Sequence, residues 1–340
     1  MLKRGLALAV LAAVLASAGG WIVYRRIHTP FRAFAGDEVF VDLPVGTSIA
    51  AIGDRLAAAG VVSDAWTFRI AARLAGADRR LQAGEYRFAD PATPAAVVQR
   101  IGAGDVFTQP VTFPEGLTIG EMAALFERSG LGAAADFADA ASDPALVSSQ
   151  GPDARSLEGY LFPDTYGLPR HARAGEVVRA MLAGFDRAFD AELRADAAAR
   201  GLSVHAAVTL ASLIEKETAR ADERPIVSAV YHNRLRVRMA LQCDPTVIYA
   251  LMLAGTWNGN LRRVDLAVDS PYNTYRFPGL PPGPIASPGR AALEAAVRPA
   301  DVPYLYFVSR NDGSHVFAET LAEHNRNVAV WQVRYFRKRS

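Results

Sequence analysis

The first apolar stretch of the 340-residue chain is an uncharged run from Gly5 to Tyr24, with a pair of basic residues on each side. A helix of about 20 apolar residues is long enough to cross the hydrocarbon core of a bilayer. Aromatic residues near the end of the run lie where such helices are anchored at the membrane interface. The pattern predicts a short tail at residues 1–4, a transmembrane signal anchor at 5–24 and a linker at 25–37, and the tail is cytoplasmic if the following domain is translocated.

The same stretch also fits a cleaved signal peptide. Residues 16–18 read Ala-Ser-Ala, which is a small-residue cleavage pattern, and they follow the apolar run 6–15. Apolar character resumes after that position, which favours an uncleaved anchor. Basic residues on both sides leave the orientation open, and a long following domain can be translocated regardless of such flanks.

Residues 38–104 alternate between short strand patterns and amphipathic helix patterns. Strands are predicted at 39–43 and 84–88, and helices at 48–59, 63–74 and 94–101. Capping residues at the helix starts and glycines after the helix ends support these boundaries. The order of the elements predicts a small unit with its own core.

Residues 108–340 contain longer helical patterns and one strong hairpin signal. Helices are predicted at 118–129, 172–200 and 321–336, and a further helix begins after Ser203 as its N-cap. The Asn-Asp-Gly sequence at 311–313 lies between two alternating apolar segments, which is typical of a β-hairpin. Because strands and helices are segregated along the chain, the predicted fold class is α+β, with an N-terminal transmembrane helix, a small subdomain and a larger mixed α+β domain.

The helix that follows Ser203 carries Glu215 and Glu217 near its end. Glu215 shares a helical face with small apolar residues such as Ala211, so its carboxyl is expected to be desolvated. Desolvation raises the pKa of a carboxyl, which lets it carry a proton near neutrality as a general acid must. Glu217 points about 200° away and cannot serve the same site. Geometry alone does not choose between them, and a solvated helix end with paired charges would explain the same residues.

Composition narrows the range of functions. Hydrophobic residues make up 51% of the chain, and the net charge of +2 argues against a nucleic-acid-binding protein. The sequence contains no metal-binding motif and no phosphate-binding glycine loop, so no metal or cofactor is expected. The single cysteine, Cys243, excludes an intramolecular disulfide and does not discriminate between compartments.

Several long strings carry a resemblance to a known family. They lie at residues 157–166 (LEGYLFPDTY), 211–218 (ASLIEKET), 241–249 (LQCDPTVIY), 272–275 (YNTY) and 279–289 (GLPPGPIASPG). In these strings, which extend over nearly the whole chain, the protein resembles the YceG-like endolytic murein transglycosylases. The resemblance implies a single-pass protein of the bacterial inner (cytoplasmic) membrane, with a LysM-like subdomain at 38–104 and a YceG-like catalytic domain at 108–340 on the periplasmic side.

The resemblance also implies residue roles. It makes Glu215, the first glutamate of the Glu-Lys-Glu string, the catalytic residue. Aromatic faces, amides and hydroxyls suit sugar rings and their substituents. The candidate glycan-binding residues are Glu158, Tyr160, Gln242, Asp244, Thr246, Asn273 and Tyr275. Asp244 before Pro245 fits a helix cap equally well, and Ser287 is interpreted as the N-cap of a helix that ends at residue 297.

The implied reaction needs only one glutamic acid. It protonates the glycosidic oxygen between N-acetylmuramic acid and N-acetylglucosamine, then takes the proton of the muramoyl C6 hydroxyl, which closes a 1,6-anhydro ring. The implied partners are peptidoglycan strands, the membrane and peptidoglycan synthases, and the implied role is termination of strand elongation. Two alternatives stay open: a water-using peptidoglycan hydrolase with Glu158 or Asp244 as second carboxylate, and a non-catalytic peptidoglycan-binding scaffold.

Overall fold

The structure, a computed structural model, describes residues 2–148 and 153–337. In this part of the chain, helices and three two-stranded sheets form two compact units, Met1–Gln109 and Pro110–Ser340. Each unit has its own core of buried apolar side chains. The mixed arrangement confirms the predicted α+β class.

The first unit has the order of elements that the sequence predicts. These elements are α1 (Leu2–His28), β1 (Val39–Leu43), α2 (Ile49–Ala58), α3 (Ala65–Leu74), β2 (Gly84–Phe88) and α4 (Pro94–Ala103). The two strands pair antiparallel, with Val39 opposite Phe88. Side chains of Ser48, Asp64 and Thr93 accept backbone hydrogen bonds at the starts of α2, α3 and α4, which fixes where each helix begins. The likeness of this unit to a LysM module stays a prediction.

Helix α1 contains a segment, Val10–His28, that is long and apolar enough to cross a membrane by length and composition. The helix ends at His28 and not at Tyr24, so the start of the predicted linker is helical. Ile27 is buried in the core of the first unit, and α1 packs against α3 and α4. Met1 of the predicted tail lies outside the described residues.

The second unit starts within β3 (Gln109–Thr112), and its next elements are α5 (Ile119–Arg128), α6 (Ala134–Ala140), β4 (Thr165–Leu168), α7 (Ala174–Ala188) and α8 (Ala191–Ala199). The prediction of one helix over 172–200 is wrong, because the chain breaks between α7 and α8. Asp190 lies at this break with extended backbone, and its carboxylate accepts hydrogen bonds from the Glu192 and Leu193 N–H groups. A new N-cap therefore starts a second helix where apolar periodicity alone suggests continuity.

The remaining elements are α9 (Val204–Glu217), α10 (Arg224–Arg236), α11 (Asp244–Leu253), α12 (Arg290–Val297), β5 (Tyr306–Ser309), β6 (His315–Ala318) and α13 (Leu321–Val328). After α13 the helix continues through the π-helical turn Ala329–Arg334 to Arg337. Strands β5 and β6 form the hairpin predicted around residues 311–313, with Tyr306 opposite Ala318. Asn311 adopts a positive φ of 65° in its turn, as such hairpin positions require.

Helix α9 lies in the middle of the second unit. Every residue from Ala207 to Ile214 is buried, and the helix packs against α8, α10, α11 and α12. The Ser203 hydroxyl accepts a hydrogen bond from the Ala206 N–H at 3.1 Å, which confirms the predicted N-cap. Different elements pack on the different sides of α9. Because Glu215 and Glu217 point in nearly opposite directions, their carboxyls have different neighbours.

Candidate active site

Glu215 lies at the end of α9, and its carboxyl is enclosed by groups from two loops and from α10. Its side chain is 7% exposed, and its Oε2 accepts a hydrogen bond from the Gly289 N–H at 3.0 Å. Arg224 Nη2 lies 3.5 Å from Oε1, and Glu115 approaches the same arginine at 3.9 Å. Burial raises the pKa of Glu215, as the sequence predicts, while the Gly289 N–H and Arg224 oppose that rise. An added Cβ at Gly289 would lie 1.9 Å from Glu115 Oε1, so a larger residue there would displace the Glu115 carboxylate.

The loop that contains Gly289 also contains Ser287, and here the structure differs from the prediction. Helix α12 begins at Arg290 with Gly289 as its N-cap, and Ser287 makes no capping hydrogen bond. The Ser287 backbone instead pairs with Gly116 and Leu117, at 2.8 Å in each direction. Its buried hydroxyl has no partner among the described residues. Ser287 therefore joins two loops around Glu215 and does not start a helix.

Glu217 faces the opposite direction and has different neighbours. The Tyr231 hydroxyl donates a hydrogen bond to its Oε1 at 2.9 Å, and the Cys243 thiol is a second hydrogen-bonding neighbour. In the part of the chain that the structure describes, no lysine or arginine forms an ion pair with Glu217. Burial raises the pKa of this carboxyl. Glu217 is thus a desolvated carboxyl whose closest donors are neutral groups.

One side of Glu217 opens into a polar cavity of about 420 Å³, here called the Glu217 cavity. Its wall includes Glu217, Arg234, Gln242, Asp244, Tyr275 and His315. These residues come from α9, α10, the start of α11, the loop after it and the C-terminal hairpin. The volume and the mixture of amide, hydroxyl and charged groups suit a sugar unit with its polar substituents.

Three of the predicted glycan-binding residues lie in this wall. Gln242 is exposed to the cavity and adopts φ 50°, a conformation that is rare outside glycine and asparagine. Its backbone N–H donates to the Thr274 carbonyl at 3.2 Å, which holds the turn. The Tyr275 hydroxyl donates to Asp244 at 2.5 Å. Asp244 follows the N-cap residue Cys243 and is the first residue of α11, so it does not cap that helix.

Two predicted binders, Asn273 and Thr246, have their polar atoms occupied inside the protein. Asn273 is fully buried, its Nδ2 donates to the carbonyls of Leu266 and Val268, and its Oδ1 accepts from the Tyr275 N–H. Thr246 is also fully buried and donates to the Cys243 carbonyl at 2.7 Å. Their positions give no support to a role in substrate binding. They build the loop that presents Tyr275 and Gln242.

Glu158 and Tyr160 also lie away from the Glu217 cavity. The carboxyl of Glu158 is buried at the N-terminus of α5, where it accepts from the Ile119 N–H at 3.2 Å and from the Tyr249 hydroxyl at 3.2 Å. Burial raises the pKa of Glu158 to about 7. Tyr160 is fully buried, and its hydroxyl bonds to Nδ1 of His205 at 3.0 Å. Both residues therefore stabilise the fold around α9 and do not contact the cavity.

The sequence did not predict a role for the cavity residues Arg234 and His315, or for Tyr231, which is buried behind Glu217. Arg234 is buried, and its guanidinium donates to the carbonyls of Ala240, Leu241 and Leu305. His315 lies on β6, almost a hundred residues beyond Glu217 in the chain. No local pattern marks these residues, because only the packing of the hairpin against α10 brings them to α9. In the described residues no group of three or more His, Cys, Asp or Glu side chains could hold a metal ion.

Comparison with known proteins identifies the family of this chain. The YceG-like family matches residues 41–330. The chain belongs to the YceG-like family. The family that the sequence strings suggest is therefore confirmed.

Two YceG-like relatives carry a function in their names. An endolytic murein transglycosylase of Bacillus subtilis is 31% identical over 91% of this chain and 89% of its own length. An endolytic murein transglycosylase of Streptococcus pneumoniae strain D39 is also 31% identical, over 93% of this chain, which spans 63% of that longer relative. The crystal structure of a YceG-like protein from Listeria monocytogenes is 32% identical, covers 85% of this chain and 98% of its own, and superimposes with a TM-score of 0.58.

Proposed function

We propose that this chain is a lytic transglycosylase of peptidoglycan, a lyase that cleaves between N-acetylmuramic acid and N-acetylglucosamine within glycan strands and leaves 1,6-anhydro ends. Its YceG-like relatives in two species bear the name endolytic murein transglycosylase and align over most of the chain. The observation that carries the proposal is Glu217, a desolvated carboxyl in the wall of a polar cavity. Its role is cleavage of growing strands beside peptidoglycan synthases, which terminates elongation.

The proton donor in this proposal is Glu217, although the family resemblance predicts Glu215. A general acid must hold its proton in the resting enzyme and must reach the substrate. Burial raises the pKa of both carboxyls, but Arg224 and the Gly289 N–H favour the ionised form of Glu215, and these contacts enclose its carboxyl. Among the described residues, the hydrogen-bond donors to Glu217 are neutral groups, and Glu217 borders the cavity. The surroundings of the two carboxyls therefore favour Glu217.

The chemistry follows from a nucleophile inside the substrate. Glu217 gives its proton to the glycosidic oxygen as the bond from that oxygen to muramoyl C1 breaks. The C6 hydroxyl of the same sugar attacks C1, and its proton passes to a base in the cavity. Because the attacking group is already attached to the sugar, effective molarity replaces the activation of a water molecule. A second carboxylate for water is then unnecessary.

The products of glycan digestion test the proposed reaction. Mass spectrometry of strands treated with the full chain in detergent is expected to show anhydro ends, each lighter by one water than a reducing end. Reducing ends would instead assign hydrolysis, with Asp244 in the cavity wall as the second carboxylate. Binding of strands without shortening would assign the scaffold alternative. The Glu217→Gln variant, which is expected to be inactive and is purified in the same way, is the matched control for contaminating hydrolases.

We also propose that α1 anchors the protein in the inner membrane with both compact units on the outer, periplasmic side. The support is the apolar segment Val10–His28, which is long enough to span a bilayer. The full chain is expected to resist extraction from membranes by alkaline carbonate. A chain that starts at Trp21 keeps Ile27 for the core of the first unit but lacks most of the span, and it should be released.

Val45 provides a test of the orientation, since its side chain is 92% exposed in the first unit. A Val45→Cys chain should react with a membrane-impermeant maleimide in intact spheroplasts. The wild-type chain is the control, because its only cysteine, Cys243, is buried. Labelling that requires lysis of the spheroplasts would place the units on the cytoplasmic side and contradict the proposal.

A further inference from the structure

Glu223, just before α10, holds the imidazole of His315 in a fixed orientation. The Glu223 carboxylate accepts from His315 Nδ1 at 2.7 Å and from the His315 backbone N–H at 2.9 Å. The Thr218 hydroxyl donates to the same carboxylate at 3.3 Å. Both side chains of the pair are nearly buried, at 8% exposure for Glu223 and 11% for His315. Because the carboxylate is acceptor to each of these groups, Nδ1 carries the hydrogen and Nε2 is left with its lone pair when the ring is neutral.

His315 and Glu217 line the same cavity from different elements. Glu217 comes from the end of α9, and His315 comes from β6 of the C-terminal hairpin. Among the described residues, His315 Nε2 makes no hydrogen bond, whereas Nδ1 is bound to Glu223. A ring nitrogen oriented by a carboxylate and left free at a cavity wall is the arrangement that activates hydroxyl nucleophiles in many hydrolytic and transfer enzymes. The cavity therefore contains one group suited to give a proton and another suited to take one.

We propose that His315 is the general base of the cleavage reaction and that Glu223 positions it. The inference rests on the proposed function, since it names the group that takes the proton of the attacking hydroxyl. Glu217 O–H protonates the glycosidic oxygen, and the C1–oxygen bond breaks. The C6 oxygen forms its bond to C1, and its proton moves to His315 Nε2. The imidazolium then loses that proton to solvent, and the Glu217 carboxylate takes one up, which restores both groups.

The charges around His315 define what its pH dependence reports. Glu223 binds His315 directly and is paired with Arg220, and the titratable and charged residues that share the cavity wall with His315 are Glu217, Arg234, Asp244, Tyr275 and His324. A base that takes a proton in the reaction makes the pH profile of the wild type differ in shape from that of a variant without this base. The fall in rate at high pH, caused by the loss of protonated Glu217, is expected in both chains.

A His315→Asn chain separates catalysis from structure. The Asn amide can still donate to Glu223 from a position close to that of Nδ1, but it has no group at the position of Nε2. We expect kcat to fall by about 100-fold with little change in melting temperature and with a changed pH profile. A purely structural histidine would leave kcat and the pH profile of this variant close to wild type, and that result would overturn the inference.

Chemical rescue provides a second, independent test with the full chain in detergent. In His315→Ala combined with Glu223→Gln, which avoids a buried carboxylate that has lost its imidazole partner, added imidazoles should restore cleavage. The rescued rate should increase with the basicity of the imidazole if a proton is taken in the rate-limiting step. A rescue that depends only on the size of the added ring, or the absence of any rescue, would contradict a general base. The product ends report the nucleophile in the same assay, so a failure of the proposed function is seen separately from a failure of this inference.

Discussion

Glu217→Gln is expected to lower the rate of glycan cleavage by on the order of a thousandfold, with the protein still folded. The glutamine keeps an acceptor for the Tyr231 hydroxyl, which donates to Oε1 at 2.9 Å, and it keeps the volume of the side chain. It has no acidic proton to give to the glycosidic oxygen. The loss should lie in kcat rather than in KM, because the interaction removed is made in the transition state. Steady-state cleavage of purified glycan strands measures both constants.

Glu215→Gln is the matched control, since it makes the same chemical change two residues away on the same helix. Its amide oxygen can still accept from the Gly289 N–H, but Arg224, whose side chain is 11% exposed, loses the nearer of its two carboxylate partners and keeps Glu115 at 3.9 Å. We expect a stability loss of about 1–3 kcal/mol and less than about a tenfold change in cleavage rate. The reverse pattern, with Glu215→Gln inactive and Glu217→Gln active, would return the acid role to Glu215 as the family resemblance suggests.

Glu158→Gln is expected to remove a pH dependence of stability from the second unit. The pKa of Glu158 is raised to about 7 by burial, so the folded protein keeps this carboxyl neutral over a range in which the unfolded chain, with a value near 4.5, ionises it. The carboxyl therefore supports folding fully below about pH 4.5, and that support is lost as the pH rises to about 7. The free energy of unfolding should fall by about 1.4 kcal/mol per pH unit in that range, up to about 3 kcal/mol in all. The glutamine variant should not show this fall.

Urea unfolding of the full chain in detergent measures this difference. Trp257 and Trp331 report on the second unit when Trp21 and Trp66 are replaced by Phe in both chains. Glu319→Gln, at an exposed position, controls for the loss of a carboxyl as such. Wild-type and Glu158→Gln chains whose stabilities change in parallel with pH would mean that Glu158 is ionised in the folded state. That result would reopen its candidacy as a second carboxylate.

Local sequence signals predict those parts of the fold that are decided within a few residues. The Ser203 cap, the buried stripe of α9 and the turn at 311–313 are all of this kind, since caps, periodicity and turn residues act locally. The opposite directions of Glu215 and Glu217 also follow from helix geometry alone. The break at Asp190 is not evident from periodicity, because the capping residue lies inside an otherwise continuous helical pattern.

The candidate site was less predictable, because its side chains are chosen by contacts between distant segments. Asn273 and Thr246 look like sugar-binding residues in the sequence, yet their amide and hydroxyl groups are used to hold loops together. Buried polar groups need internal partners, and those partners are not visible from neighbours in the chain. His315 shows the converse: a histidine in a short strand carries no signal of chemistry until Glu223 and the Glu217 cavity are placed beside it.

The buried end of α1 has a mechanical consequence. Ile27 is 5% exposed within the core of the first unit, and Phe31 just beyond the helix pairs with Ala92. A flexible tether of about ten residues would let a domain sweep through a radius of nearly 20 Å above the lipid surface. Here the end of the helix is itself part of the domain, so an anchored first unit has a fixed height and tilts only as α1 tilts. The distance of the first unit from the bilayer is therefore set by the packing of α1 against its core. An insertion at this point would disrupt that core before it moved the unit farther from the membrane.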